Sequence, residues 1–90
     1  MEETAINLQS VQQFIGKFVT QKCPDYLPEE DGDTSFSALG LDSFDHVSIG
    51  AEIESRFQVA IEPTLVYDYP TLNSLAERVI ELLNEQEVLA

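Results

Sequence analysis

The apolar positions step with a helical period along most of the chain. Val11, Phe14, Ile15, Phe18 and Val19 recur at i, i+3, i+4, i+7 and i+8, one stripe of a helix over about residues 5–22. Thr4 is placed to cap its start, and Cys23-Pro24 supplies the stop, because proline disfavours helical geometry in the residue before it. Residues 24–41 read as a long loop punctuated by Pro24, Pro28, Gly32 and Gly40. Tyr26, Leu27, Phe36, Leu39 and Leu41 look like pegs holding that loop onto a bundle, and Ile6 joins Val11, Phe14 and Phe18 in the expected core.

A second helix opens at Asp42–Ser43, with either residue able to cap it, and ends near Phe57. Its apolar residues (Phe44, Val47, Ile49, Ala51, Ile53 and Phe57) span a broader arc than the first helix shows, which predicts a more central position. Gly50 in its interior costs about 1 kcal/mol against alanine and calls for a reason such as close helix approach. Between Pro63 and Pro70 there is room for one or two helical turns. Val59-Ala60-Ile61 alternates but is too short to make a strand alone. The last helix starts after Pro70 with Thr71 as cap, points Leu72, Leu75, Ala76, Val79, Ile80 and Leu83 inward, and is expected to fray from Asn84. The fold class is all-α: a small bundle of three main helices plus one short one, with a long loop between the first and second. It forms a single domain over residues 1–90, without internal repeats.

Charge then narrows the partners. Four Lys and Arg against 17 Asp and Glu leave a net charge of −13. Nucleic acid and anionic membrane are therefore poor partners, since both are held by basic side chains. A hydrophobic fraction of 43% is too high for a disordered acidic tail. Cys23 is the only cysteine, so an intramolecular disulfide is impossible and a cysteine-based zinc site nearly so. The acidic first residues resemble no signal peptide, and no apolar run is long enough to span a bilayer; the expectation is a cytoplasmic monomer.

Most catalytic chemistry fails on the same inspection. One His and one Cys give no metal set, and Asp31-Gly32-Asp33 lacks the spaced ligands and closing Glu of a calcium loop. Ser43, His46 and Asp42 or Asp45 can be drawn as a triad, but nothing around them supplies a pocket layer or oxyanion donors beyond the helix N-terminus. What remains is Leu39-Gly40-Leu41-Asp42-Ser43-Phe44: a tight turn, an acid, then a serine at the opening of a helix, where unpaired N–H groups favour an anion. On its own this hexapeptide reads first as a serine that does no more than cap its helix, since serine is common there.

The same hexapeptide resembles the attachment motif of acyl carrier proteins, usually Asp-Ser-Leu, with Phe44 in place of leucine. Val47, Ile49 and Ile53-Glu54 fall where that family's second helix places apolar residues and a Leu-Glu pair. Pro63-Thr64-Leu65-Val66-Tyr67-Asp68-Tyr69-Pro70-Thr71 is similar to a Pro-x-x-x-x-Phe/Tyr-Asp-x-Pro-Thr signature of carrier domains in modular polyketide synthases, and Leu75-Ala76 follows in the expected helix. The likeness spans about residues 39–83. Asp42 before the serine leans to acyl rather than peptidyl carriers, and the Tyr-Asp-Tyr-Pro-Thr stretch leans to polyketide or hybrid pathways.

The resemblance implies that a phosphopantetheinyl transferase, using coenzyme A and Mg²⁺, places 4′-phosphopantetheine on Ser43, flanked by Asp42 and Phe44. The arm's thiol then holds acyl groups as thioesters, and no residue of this chain is catalytic. Asp45, Glu52 and Glu54 are the implied docking residues toward basic patches on the transferase, an acyltransferase, a ketosynthase or related enzymes. A discrete carrier is expected rather than an excised domain. The competing readings are a peptidyl or aryl carrier of a nonribosomal peptide pathway, and an unmodified acidic helical adaptor. Of the remaining residues, His46 is expected at the surface, with a contact to the prosthetic phosphate as the sharper alternative. Tyr67 and Tyr69 are expected to pack, and Cys23 to be passive and half-buried. Phe44 is left open between docking contact and core peg.

Overall fold

A computed structural model describes residues 6–89. It contains five helices: α1 (Leu8–Lys22), α2 (Pro28–Asp31), α3 (Ser43–Phe57), α4 (Leu65–Asp68) and α5 (Leu72–Leu89). The expected Thr4 cap lies outside the described residues. Asn7 caps α1 instead: its side chain accepts from Ser10 N at 2.9 Å, and Ser10 Oγ accepts from Asn7 N at 3.0 Å. A local polar pair thus starts the helix later than its apolar stripe suggested. The stop at Cys23 holds, with its N–H donated to Val19 O at 2.7 Å.

Val11, Ile15 and Val19 of α1 meet Leu72, Leu75, Ala76 and Val79 of α5, all buried, and this pair is the centre of the bundle. Each buried Val, Ile or Leu among them is worth about 1.5–3 kcal/mol of burial. Thr71 and Ser74 cap α5 reciprocally, at 3.1 and 3.2 Å. The helix does not stop at Asn84 but continues to Leu89.

The predicted central place of α3 is not observed. Ile49, Ile53 and Phe57 are buried, with Phe57 edge-on to Phe14 of α1 at 5.4 Å, whereas Phe44, Val47 and Ala51 face outward. The broad arc therefore marks two faces, one packed and one exposed. Gly50 is not explained by helix approach either. A Cβ there would meet Ile61 Cγ2 at 3.4 Å, an ordinary contact, and nothing else in the packing requires a glycine. Close approach occurs at Gly16, where a Cβ would fall 2.9 Å from Pro28 Cγ, so this residue lets the loop lie on α1.

The loop is more ordered than its composition suggests. It contains α2, with Pro28 at the first turn, and it is stitched to α5 and its approach: Asn73, which also accepts from Gln12 Nε2 of α1 at 3.0 Å, donates to Asp33 Oδ1 at 2.9 Å, and Phe36 N donates to Pro70 O at 2.8 Å. Of the expected pegs, Tyr26, Phe36 and Leu41 are buried and Leu39 is partly buried, but Leu27 is exposed, as is Ile6. Leu27 is the residue leading into α2, where Pro28 faces Gly16 and its own side chain is turned out. Cys23 is half-buried, its thiol donated to Leu39 O at 3.1 Å.

Tyr26 carries a buried hydroxyl with no hydrogen-bond partner among the described residues. Burial first, then the charges of Asp31 and Asp33, push its phenol up to about 12 from 10.0. The folded state thus favours the neutral phenol, so stability is intact below pH 10 and falls as pH rises from about 10 to 12. Tyr26→Phe should raise stability by about 1 kcal/mol at neutral pH, because an unpartnered buried donor is removed. It should also flatten the loss between about pH 10 and 12; thermal melts across that range check both effects.

Candidate functional site

The site is built at the head of α3. Gly40 enters the turn at φ +92°, a conformation that side-chain-bearing residues rarely adopt, and Leu41 N then donates to Phe36 O at 3.1 Å while its side chain is buried. The chain is thereby anchored two residues before α3 begins. Asp42 takes extended geometry and caps the helix: Asp42 Oδ1 accepts from Asp45 N at 2.9 Å, and Asp45 Oδ2 accepts from Asp42 N at 3.2 Å. Of the two candidate caps, then, it is the aspartate that does the work. Ser43 is the first helical residue; it is exposed and its hydroxyl makes no hydrogen bond among the described residues. The Ser43 and Phe44 amides, as the first of the helix, have no intrahelical acceptor.

Asp45 departs from its expected exposure. Only 8% exposed, it accepts from Asp42 N and pairs with Lys22 Nζ of α1 at 3.2 Å. The Asp42 amide, and behind it the Lys22 ammonium, hold its carboxyl below the usual carboxylate range. Its support of the α3 start is therefore complete above the ordinary carboxylate pKa and fades as pH falls below it. Asp42, Glu52 and Glu54 are exposed, although Glu54 also accepts from Ile61 N at 2.7 Å.

Phe44 is 72% exposed and Val47 52% exposed, and with Ala51 they form a stripe one helical turn apart beside Ser43. The choice left open for Phe44 falls on the outside. Val47 is a surface residue that the sequence reading does not single out, and its signal is an apolar arc too broad for one buried face.

His46 is likewise not a surface residue. It is 2% exposed, with Nδ1 donating to Asp42 O at 2.7 Å, its ring stacked on Tyr67 at 4.5 Å and edge-on to Phe36 at 6.0 Å. Tyr67 packs as expected on that side and is about half exposed on the other. The drawn Ser–His–Asp triad is not assembled, since His46 turns its Nδ1 to a backbone carbonyl. Among the described residues no three His, Cys, Asp or Glu are grouped to hold a metal, and no helix is long and apolar enough to cross a membrane.

Comparison with known proteins bears on this geometry directly. Residues 25–79 match the family described as "Phosphopantetheine attachment site". The chain is 32% identical over 75 residues to Mycoketide-CoA synthase of Mycobacterium tuberculosis (strain ATCC 25618 / H37Rv), a match covering 83% of this chain and 2% of that protein. Among solved structures, a free-standing peptidyl carrier protein from an uncharacterized Acinetobacter baumannii secondary metabolic pathway is 33% identical with a TM-score of 0.72, covering 83% of this chain and 94% of that one. The HMG-ACPI domain from the CurA module of Lyngbya majuscula is 27% identical with a TM-score of 0.74, covering 97% of this chain and 90% of that one. An exposed, unbonded serine at a helix head is what a phosphopantetheine group needs for attachment, and the residues present fit it. Two motifs, five helices in this order and a match over residues 25–79 make this chain a member of the phosphopantetheine attachment site family, with an all-helical carrier fold.

Proposed function

We propose that Ser43 is the attachment residue, and that the chain carries acyl intermediates as thioesters on its 4′-phosphopantetheine arm in a polyketide or hybrid pathway. The observation that carries this reading is the division of labour at the helix head. Asp42 and Asp45 satisfy the cap between them, which leaves the Ser43 hydroxyl exposed and unbonded. In the transfer, Ser43 Oγ forms a new P–O bond, the pyrophosphate P–O bond of coenzyme A breaks, and 3′,5′-ADP and the serine proton leave. The anionic phosphodiester then lies at the positive end of α3. When bound, the group supplies a thiol on a long tether; the protein's own residues hold the serine outward and offer a docking face.

Intact-mass measurement after incubation with coenzyme A and a broad-specificity phosphopantetheinyl transferase tests the reading. One added phosphopantetheine supports carriage, and no gain favours the unmodified adaptor. The 33% identity to a peptidyl carrier favours a second reading of the cargo. Loading assays that compare acyl-coenzyme A donors with adenylated amino and aryl acids separate the two.

The docking face has an apolar centre, Phe44, Val47 and Ala51, with Asp42, Glu52 and Glu54 exposed on the same helix. The acids act chiefly on encounter with basic partners, here the transferase, an acyltransferase or a ketosynthase, and Glu52 carries that role more freely than the paired Asp45. Glu52→Lys should raise the transferase KM several-fold at low salt, with the difference closing at about 0.5 M salt as screening shortens to a few ångströms. Unchanged KM at low salt would count against recruitment by this residue.

A further inference from the structure

The geometry points to His46 as a positioning residue for the modification of Ser43: its imidazole fixes the Asp42–Ser43 peptide and ties it to α4 and to the long loop. This rests on Ser43 being the attachment residue and adds a group that lies beneath the surface partners touch. A carbonyl oxygen only accepts, so the 2.7 Å contact to Asp42 O requires the proton on Nδ1. The same oxygen accepts the His46 backbone N–H at 3.0 Å. One residue therefore holds twice the carbonyl of the peptide whose nitrogen belongs to Ser43.

The ring itself is held in turn. Tyr67 of α4 stacks on it with the planes 3° apart, and Phe36 of the loop meets it edge-on at 85°. On the other side of Asp42, the amide is held by Asp45, which Lys22 of α1 pins. Ser43 thus stands at the meeting point of α1, the loop and α4, with its own hydroxyl left free. A side chain serving only to fill space would be cheaper as an apolar residue. Burying an imidazole costs desolvation unless a hydrogen bond compensates, and here the compensating bond goes to the serine's peptide.

Filling and positioning separate in the kinetics of phosphopantetheine transfer, with the carrier as varied substrate at saturating coenzyme A. His46→Phe keeps a ring against Tyr67 and Phe36 but has no donor for Asp42 O. It should lower kcat by about tenfold and leave KM within about twofold, because the exposed stripe of α3 is untouched. His46→Asn returns a donor near the Nδ1 position and should recover most of the lost kcat even though the stack is gone. Tyr67→Leu frees the ring from the solvent side and should lower kcat by a smaller factor, about threefold, again at constant KM. Melting temperatures measured alongside confirm that each variant is folded at the assay temperature.

The inference is overturned if His46→Phe turns over like wild type, if its loss lies in KM alone, or if His46→Asn is no faster than His46→Phe. Ser43→Ala in the same assay separates the two levels. If that variant is still modified, the attachment reading itself fails; if it is not modified and His46→Phe is fully active, only the role of His46 fails.

Discussion

Ser43→Ala should keep its unmodified mass under conditions in which the wild type gains one phosphopantetheine per chain, and it should melt within about 0.5 kcal/mol of wild type. The two halves of that result come from one geometry. Ser43 occupies the first helical position and makes no hydrogen bond among the described residues, so removing its hydroxyl breaks no contact. The neighbouring Asp42 is the opposite case. Its side chain accepts from Asp45 N, its amide donates to Asp45 Oδ2 and its carbonyl accepts from His46, so Asp42→Ala loses a side-chain cap worth about 1–2 kcal/mol while the Ser43 hydroxyl survives. Adjacent substitutions should therefore dissociate chemistry from stability. Intact-mass spectra paired with denaturant melts read both at once. A Ser43→Ala protein that melts several degrees lower would mean that the serine helps to hold the helix and is not a free hydroxyl on a finished cap.

Much of the bundle is legible in the sequence. The stripe Val11-Ile15-Val19 and its counterpart Leu72-Leu75-Ala76-Val79 follow the helical period because α1 and α5 bury one face each. A serine at the head of α3 is legible because a turn glycine, an acid and a helix start are strictly local signals. Residues whose fate depends on a distant partner are not. Asp45 is withdrawn from the surface by Lys22, a residue 23 positions earlier on another helix, and His46 is buried by Tyr67 and Phe36 from two other elements. The α1 start was shifted by Asn7 and Ser10, whose pairing competes with the hydrophobic pattern. The outward face of α3 has a different cause. Val47 falls among the apolar positions of the helix and Phe44 is left open between docking contact and core peg, because composition alone cannot separate exposed apolar surface from apolar surface buried in the fold.

The long loop is more ordered than its acidic composition suggests, and Phe36→Ala should show how much it carries. Acidic and rich in turn residues, the segment reads as a loop with Phe36 among its pegs, and Phe36 is fully buried and heads the largest fully buried side chains among the described residues. Its amide donates to Pro70 O at the approach to α5, and its carbonyl accepts from Leu39 and Leu41 on the way into α3. Its ring meets His46. Truncation should cost about 3–5 kcal/mol, the range for emptying a buried phenylalanine site. Set against a total of about 5–15 kcal/mol for a domain of this kind, that is a large share of the stability. At about 4–8 °C per kcal/mol the melting temperature should fall by more than about 12 °C. Leu39→Ala, at a partly buried position in the same loop, should cost clearly less, which separates the peg from its surroundings. Because Phe36 also backs the His46 ring, the fraction of Phe36→Ala that remains folded should take up phosphopantetheine more slowly than wild type at equal folded concentration. A Phe36→Ala protein with an unshifted urea midpoint would mean that the loop only drapes over the bundle, and that the head of α3 is positioned without it.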